Sequence, residues 1–588
     1  MLFHKGGGGT GIEIIDVEFV AHAAGLFGRL MEKNYSLQAG IDMPLYSKRE
    51  IVLTMAGVLM VMLLASLDQT IVSTAMPHIV SEMRGFDRYT WVTTAYLLTS
   101  TVMVPIYGKL SDLYGRKSIF LVGIVLFLAG SALCGMSPSM NALIGFRAFQ
   151  GLGAAALLPI AIAVVGDLFT PRERGKWQGV TGAVFGLSSV IGPAVGGWIT
   201  ENANWRWVFY INLPIGLLAL LVLIFLMPSL TTRGNTSITI DYSGAALLIL
   251  GTSALLLGFT WAGSTYAWLS PQILGLMAGA GITLITFVWV EGRKEHLNRQ
   301  PIIDPSLFRN RIFVISVLIT MAANMSLLGS VFFLPLFAQG ILGISATDSG
   351  LLLSPMTLTL VGSSIISGQI VSRLGKYKMI AIIGMLISVL GAAMLLRLNV
   401  NANANDLWSA MIVLGFGTGF GMSFYSMIVQ NALPDKLGQA TSALTFFRQI
   451  GGTIALAAMG SVMAASYRPT FHQSIPAPTR QLLPTKVIAL FDNPNILLSH
   501  DIQSTVLKQF TILGPQGMIE YRQLMHAVRL GLAQGIYNTF ILSLAFMLIS
   551  LVLVFFLEEK PLQDRRSNST TNPAADHTSI NSPPVILH

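Results

Sequence analysis

The chain has 588 residues, 53% of them hydrophobic and only 11% charged, with a mean hydropathy of +0.66. So few charges over this length exclude an ordinary soluble domain and leave a polytopic membrane protein as the reading. A net charge of +9 raises the question of nucleic acid, but the placement of the basic residues answers it otherwise, and no nucleic-acid partner is expected. The single cysteine, Cys134, excludes an intramolecular disulfide and a thiolate cluster. No histidine pair has ligand spacing and no nucleophile–base pair stands out, so no metal, no cofactor and no enzyme are expected.

In residues 1–48, Ile12, Ile15, Phe19, Ala23, Leu26, Phe27 and Leu30 recur at helical spacing. An amphipathic cytoplasmic helix and an extension without fixed structure are equally open there. Gly6, Gly8 and Gly11 match a dinucleotide fingerprint by chance, because no strand precedes them. Beyond this extension, at ~20 apolar residues per crossing, fourteen spans are predicted. They are 51–76, 90–108, 118–137, 141–165, 178–200, 207–228, 242–261, 272–291, 312–338, 350–371, 378–397, 407–430, 440–465 and 535–557. The chain thus divides into an N-terminal six-helix bundle (49–230), two linker helices (231–300) and a C-terminal six-helix bundle (301–560). The last includes a long outer loop at 466–534. A disordered cytoplasmic tail (561–588), rich in Ser, Asn and Pro, follows.

A charged loop repeats between the halves. Gly108, Asp112, Gly115 and Arg116 correspond to Gly368, Ser372, Gly375 and Lys376 at the same offsets. Such a duplication marks a transporter built from related halves. The short loops on one side carry sixteen Lys and Arg; those on the other carry Arg84, Arg88, Arg206 and Arg397 alone. The positive-inside rule then puts both termini in the cytoplasm.

Asp68 is the one acidic residue well inside a span, and a carboxylate there is costly unless it works. Arg147 in the fourth helix lies roughly 9 Å below its outer end, and Asp68 lies roughly 12 Å below the outer end of the first. If both face one water-accessible cavity, their separation would let Asp68 take or lose a proton. A permanent structural ion pair is the plainer alternative. In the fifth helix Gly192 and Gly196 form a small-xxx-small pair, with Pro193 able to bend the helix and Gly197 following. Gly415, Gly417, Gly419 and Gly421 read as two close-packing faces. Arg448 is the other deep cation; it could bind an anionic group, pair across the halves or satisfy helix carbonyls. Asn324 and Tyr425 join it as substrate-cavity candidates, with Gln339, Gln430 and Asn431 as further polar points. No Walker A sequence exists, which argues against an ATP-driven pump.

Together these residues resemble the major facilitator superfamily, specifically its fourteen-helix drug:proton antiporter family, the EmrB/QacA-like exporters. The resemblance runs from about residue 50 to 557. It rests on the Gly108–Arg116 loop, on Leu67-Asp68-Gln69-Thr70 with Ala75-Met76-Pro77, and on Arg147 with Gln150-Gly151. Gly192-Pro193 with Gly196-Gly197, Trp205-Arg206-Trp207 through Asn212 and Pro214, and Arg448-Gln449 with Gly451-Gly452 complete it. It implies two six-helix bundles plus two additional helices, and rocker-switch alternating access at the plasma (inner) membrane. It implies proton-driven export of hydrophobic or amphipathic drugs, with a dedicated exporter of one metabolite, siderophore or lipid-like compound as the alternative. It implies that Asp68 carries protons, that Arg147 tunes it, and that Asp112 and Arg116 steady the inner face. Ser372 departs from the acidic pattern of the second loop. A periplasmic adaptor protein as partner is left open.

Overall fold

The architecture is that of a computed structural model. It describes residues 47–83, 89–228, 241–263, 265–296, 301–344, 353–492, 494–497, 500–512 and 514–560. Packing divides the chain into residues 1–49 and residues 50–588. The expected N-terminal helix at 1–48 and the tail from 561 lie almost wholly outside the described residues.

No strand occurs among the described residues, and the helices follow one another directly. The first half contains α1 (Lys48–Met83), α2 (Tyr89–Tyr114), α3 (Arg116–Gly135), α4 (Met140–Leu168), α5 (Pro171–Asn202), α6 (Trp207–Tyr210) and α7 (Asn212–Leu226). A hairpin of α8 (Tyr242–Trp261) and α9 (Pro271–His296) comes next. The second half contains α10 (Arg311–Gly340), α11 (Ser354–Leu374), α12 (Lys378–Leu395), α13 (Ala404–Met422), α14 (Tyr425–Ala432) and α15 (Leu437–Ser474). It ends with α16 (Ala477–Leu482), α17 (Thr485–Ala489), α18 (His500–Ile512) and α19 (Gly514–Phe555).

Each predicted span is occupied by helix, the sixth as α6 and α7 and the twelfth as α13 and α14. Eleven of these segments are long and apolar enough to cross a bilayer; α2, α5 and α11 fall short. Composition explains the shortfall. Helix α2 carries Thr93, Thr94, Thr99, Ser100 and Thr101, and α11 carries Thr357, Thr359, Ser363, Ser364 and Ser367. These are also the helices that meet the other bundle, α2 against α15 and α5 against α11. Polar faces turned to protein instead of lipid lower a helix's hydropathy without cost.

Glycines set the closest approaches. A Cβ at Gly415 or Gly419 would strike the backbone of α11, and one at Gly417 or Gly421 the backbone of α12. The two faces read from the sequence therefore serve two neighbours. Gly115 and Gly375, equivalent positions of the loop repeat, both have positive φ, 87° and 69°. Only glycine adopts that backbone freely, which is why both copies keep it.

The hairpin α8–α9 is tied at both ends. Toward the charged-loop side, Lys294 pairs with Asp241, and Glu291 accepts hydrogen bonds from Ile302 N (2.7 Å) and Ile303 N (3.2 Å). Burial works against the Asp241 charge, yet hydrogen bonds from Lys294 and Gly244 N–H help outweigh it and hold its pKa at about 2. At the opposite end Trp261 meets Trp91 of α2 edge-on at 6.0 Å, and Trp268 Nε1 donates to Ser461 of α15.

The long segment 466–534 carries short helices among its described residues and is helical over most of 501–531. Helices α15 and α19 have 38 and 42 residues, about 57 and 63 Å at 1.5 Å per residue, roughly twice a bilayer core. Pro469 is accommodated inside α15, while Pro476 and Pro484 cap α16 and α17, positions where a missing N–H is harmless. Tyr467 Oη closes the region by donating to Phe491 O at 2.6 Å.

Candidate functional site: a buried carboxylate and an inter-bundle seal

Asp68 sits mid-way along α1 with no exposed surface. Its Oδ2 accepts from Arg147 Nη1 at 2.7 Å, and its Oδ1 from Gln150 Nε2 and Asn212 Nδ2, each at 2.9 Å. Every one of these bonds is donated by the partner, so the carboxylate acts only as an acceptor. A second layer fixes the donors. Gln150 Oε1 accepts from Arg147 Nη1 (2.8 Å) and from Cys134 Sγ (3.7 Å), and Asn212 Nδ2 also donates to Ser131 Oγ (3.0 Å). Arg147 Cζ lies 4.1 Å from the Tyr96 ring centroid and 5.8 Å from that of Phe209.

Asp68 and Arg147 are thus brought together as the sequence led one to expect, but not on a water-accessible surface. The Tyr96 and Phe209 rings flank the guanidinium, and Arg147 is 1% exposed. The accessible face of α1 begins one residue on, at the exposed Gln69, about 100° around the helix. Asn212 had no assigned role in the sequence reading. Its signal was an amide at the mouth of an otherwise apolar helix, where the chain breaks at Ile211 between α6 and α7. Asn212→Leu, which strips one donor from Asp68 and one from Ser131, is expected to destabilise the protein by about 1–3 kcal/mol. The thermal unfolding midpoint in detergent measures this.

The charged loop forms a second cluster. Arg116 is buried and binds Asp112 (2.5 Å), Asp167 (2.8 Å) and Ser111 Oγ (2.7 Å). Asp112 Oδ2 then accepts Gln439 N of α15 at 3.0 Å, crossing from one bundle to the other. A Cβ at Gly438 would lie 2.2 Å from Arg116 Nη1, and one at Gly108 2.2 Å from Ser442 Oγ. In the other copy, a Cβ at Gly368 would lie 2.3 Å from Gly175 O of α5. The two copies therefore perform one job by pseudo-symmetry: each lets a helix touch the opposite bundle. Asp167, just past the end of the predicted fourth span, escaped the sequence reading.

Between these contacts Gln430 Nε2 donates to Ile162 O of α4 (3.2 Å) and to Thr441 Oγ1 (3.1 Å). Along α5, Gly175, Gly179, Gly182 and Gly186 all press on α11, Gly192 presses on Thr70 of α1, and Gly197 has no neighbour within 4 Å. The bundles are therefore sealed on the charged-loop side. Pro193 lies within α5, which continues unbroken, and Gly196 is buried. The remaining candidates lie in the second bundle, apart from Asp68. Asn324 Nδ2 donates to Arg448 O at 2.9 Å, and Tyr425 Oη is buried without a hydrogen-bond partner among the described residues.

The description of the Major Facilitator Superfamily matches residues 58–456. "Multidrug transporter protein MdtP" of Bacillus subtilis is 37% identical over 546 residues, covering 91% of this chain and 98% of that protein. An "Acurin A biosynthesis cluster MFS-type transporter" of Aspergillus aculeatus is 32% identical over 71% of this chain and 75% of its own. The crystal structure of the human organic anion transporter MFSD10 aligns with 86% of this chain and 100% of its own, with TM-score 0.56. At 14% identity that is a likeness of fold alone. With an all-helical fold, repeated loops and relatives named as transporters along nearly its whole length, this chain belongs to the Major Facilitator Superfamily and is a multi-pass efflux transporter, not an enzyme.

Proposed function

We propose that the chain is a proton-coupled antiporter that exports hydrophobic or amphipathic small molecules across the cytoplasmic membrane by alternating access. In this reading all fourteen spans cross, both termini are cytoplasmic, and the divisions at 49–230, 231–300 and 301–560 are the two bundles and the linker pair. The conformation described is the one closed to the cytoplasm. The observation that carries the proposal is the threefold-donated, fully buried Asp68 carboxylate. Protonation turns one acceptor oxygen into a hydroxyl, removes the charge facing Arg147 and forces at least one donor to move. Those donors belong to α4 and α7, so a proton on Asp68 changes how α1 packs in its bundle. Gly192 against Thr70 passes the change to α5, whose other end forms half of the seal with α11. Breaking that seal, and the Asp112–Gln439 contact with it, opens the cytoplasmic side. Asn324, Tyr425 and Arg448 are the proposed contribution of the second bundle to the cavity.

In everted vesicles holding a pre-formed proton gradient, adding a transported compound is expected to dissipate the gradient. Efflux indifferent to collapse of that gradient would identify a uniporter instead. The name of the Aspergillus relative favours a second reading, a dedicated exporter of one metabolite. A compound panel in a host lacking its own pumps separates the two: one responder supports the dedicated exporter, many support the drug exporter.

A further inference from the structure

Among described residues more than one turn inside a predicted span, the charged side chains are Asp68, Arg147 and Arg448. The first two neutralise each other at 2.7 Å. Arg448 sits eleven residues into α15, about 16 Å from its start. Among the described residues its guanidinium meets no carboxylate, no hydrogen-bond acceptor and no aromatic face; Asn324 Nδ2 donates to its backbone carbonyl. A cation held this deep among helices without a partner is costly, and the cost is removed by an acceptor or by water.

The direction of the side chain follows from the helix. Thr441, one heptad earlier, shares its face to within about 20°, and Thr441 accepts from the same Gln430 that donates to α4. Around the helix, Arg448 lies between Gly451 and Gly452 on the face of α15 that packs against α10, about 10 Å further along the helix than Thr441. It retains intermediate accessibility, as do Phe447 and Gln449 on either side of it. The unneutralised charge deep in the second bundle is thus positive and partly accessible. A guanidinium in such a place binds carboxylates through charge-assisted, commonly bidentate, hydrogen bonds and repels organic cations.

We propose that Arg448 receives the acidic group of the exported molecule, so that preferred substrates are amphipathic organic anions bearing a carboxylate. The proposal rests on the export reading above and adds the charge class. A matched series tests it: 1-pyrenebutyrate, the neutral pyrenebutanol and a pyrenebutyl trimethylammonium cation, bound to the full chain in phosphatidylcholine nanodiscs. The wild type is expected to bind the carboxylate about tenfold or more tightly than the alcohol, and the cation least. Arg448→Gln should erase that preference while leaving pyrenebutanol within about twofold, and Arg448→Lys should keep part of it. A wild type that prefers the cation, or Arg448→Gln retaining the full anion preference, overturns the proposal. The wild-type ranking decides even if the glutamine variant does not fold. Arg448-dependent retention of phosphatidylglycerol in native mass spectrometry, with pyrenebutyrate binding unchanged in the variant, also overturns it, by assigning the arginine to lipid. In proteoliposomes, gradient dissipation by the alcohol or the cation but not by the carboxylate leaves proton-coupled export standing and removes this assignment alone. Dissipation by none of the three, with anion-selective binding intact, removes the export reading instead.

Discussion

Asp68→Asn is expected to reduce substrate efflux to that of cells without the protein and to abolish substrate-driven dissipation of a proton gradient. The asparagine fills the same space and can still accept one hydrogen bond, but it carries no proton and no charge. It also leaves Arg147 buried against Tyr96 with no counter-ion, a situation that costs about 3–5 kcal/mol. Loss of transport through misfolding is therefore separated by a second variant. Asp68→Asn combined with Arg147→Gln removes both charges and should recover most of the lost stability while remaining inactive in coupling. Thermal unfolding measures the first effect and everted-vesicle fluorescence the second. A double variant that is stable and fully proton-responsive would rule Asp68 out as the proton carrier.

Gly368→Val is expected to disable transport by a different route, with the carboxylate network intact. Its Cβ would lie 2.3 Å from Gly175 O, a backbone atom that cannot rotate away. Overpacking of this kind costs about 1–3 kcal/mol, and because it falls only on the sealed state, it shifts the population by about 5- to 150-fold toward the other. Efflux should fall accordingly. A cysteine introduced at the buried Ser364 should become reactive toward an impermeant maleimide from the charged-loop side. The native Cys134 is buried and leaves that assay a low background. Gly362→Ala is the control on the same helix, since a Cβ there meets nothing within 4 Å. Equal efflux in both variants would mean that the contact does not gate the cycle.

Much of this was legible in the chain because membrane helices announce themselves locally. Long apolar runs, the spacing of Gly415 to Gly421, and the offset of Gly108 to Arg116 against Gly368 to Lys376 depend only on neighbours in sequence. Asp68 and Arg147 stood out because a charge in an apolar run has no local excuse. The rest depends on contacts between distant segments. Asn212 became readable only when α7 was seen to begin beside Asp68, and Asp167 only when α4 was seen to end beside Arg116. The length of α15 was not legible for the opposite reason: helix-breaking by Pro469 is a local tendency, and the packing of α15 against α19 overrides it.

The linker pair α8–α9 touches both halves. Toward the second half Glu291 accepts from Ile302 and Ile303 and Trp268 donates to Ser461, and toward α2 Trp261 meets Trp91 edge-on. If the halves rock as proposed, the Trp91–Trp261 edge, 6.0 Å between ring centroids, is the contact whose separation is expected to change with each turnover.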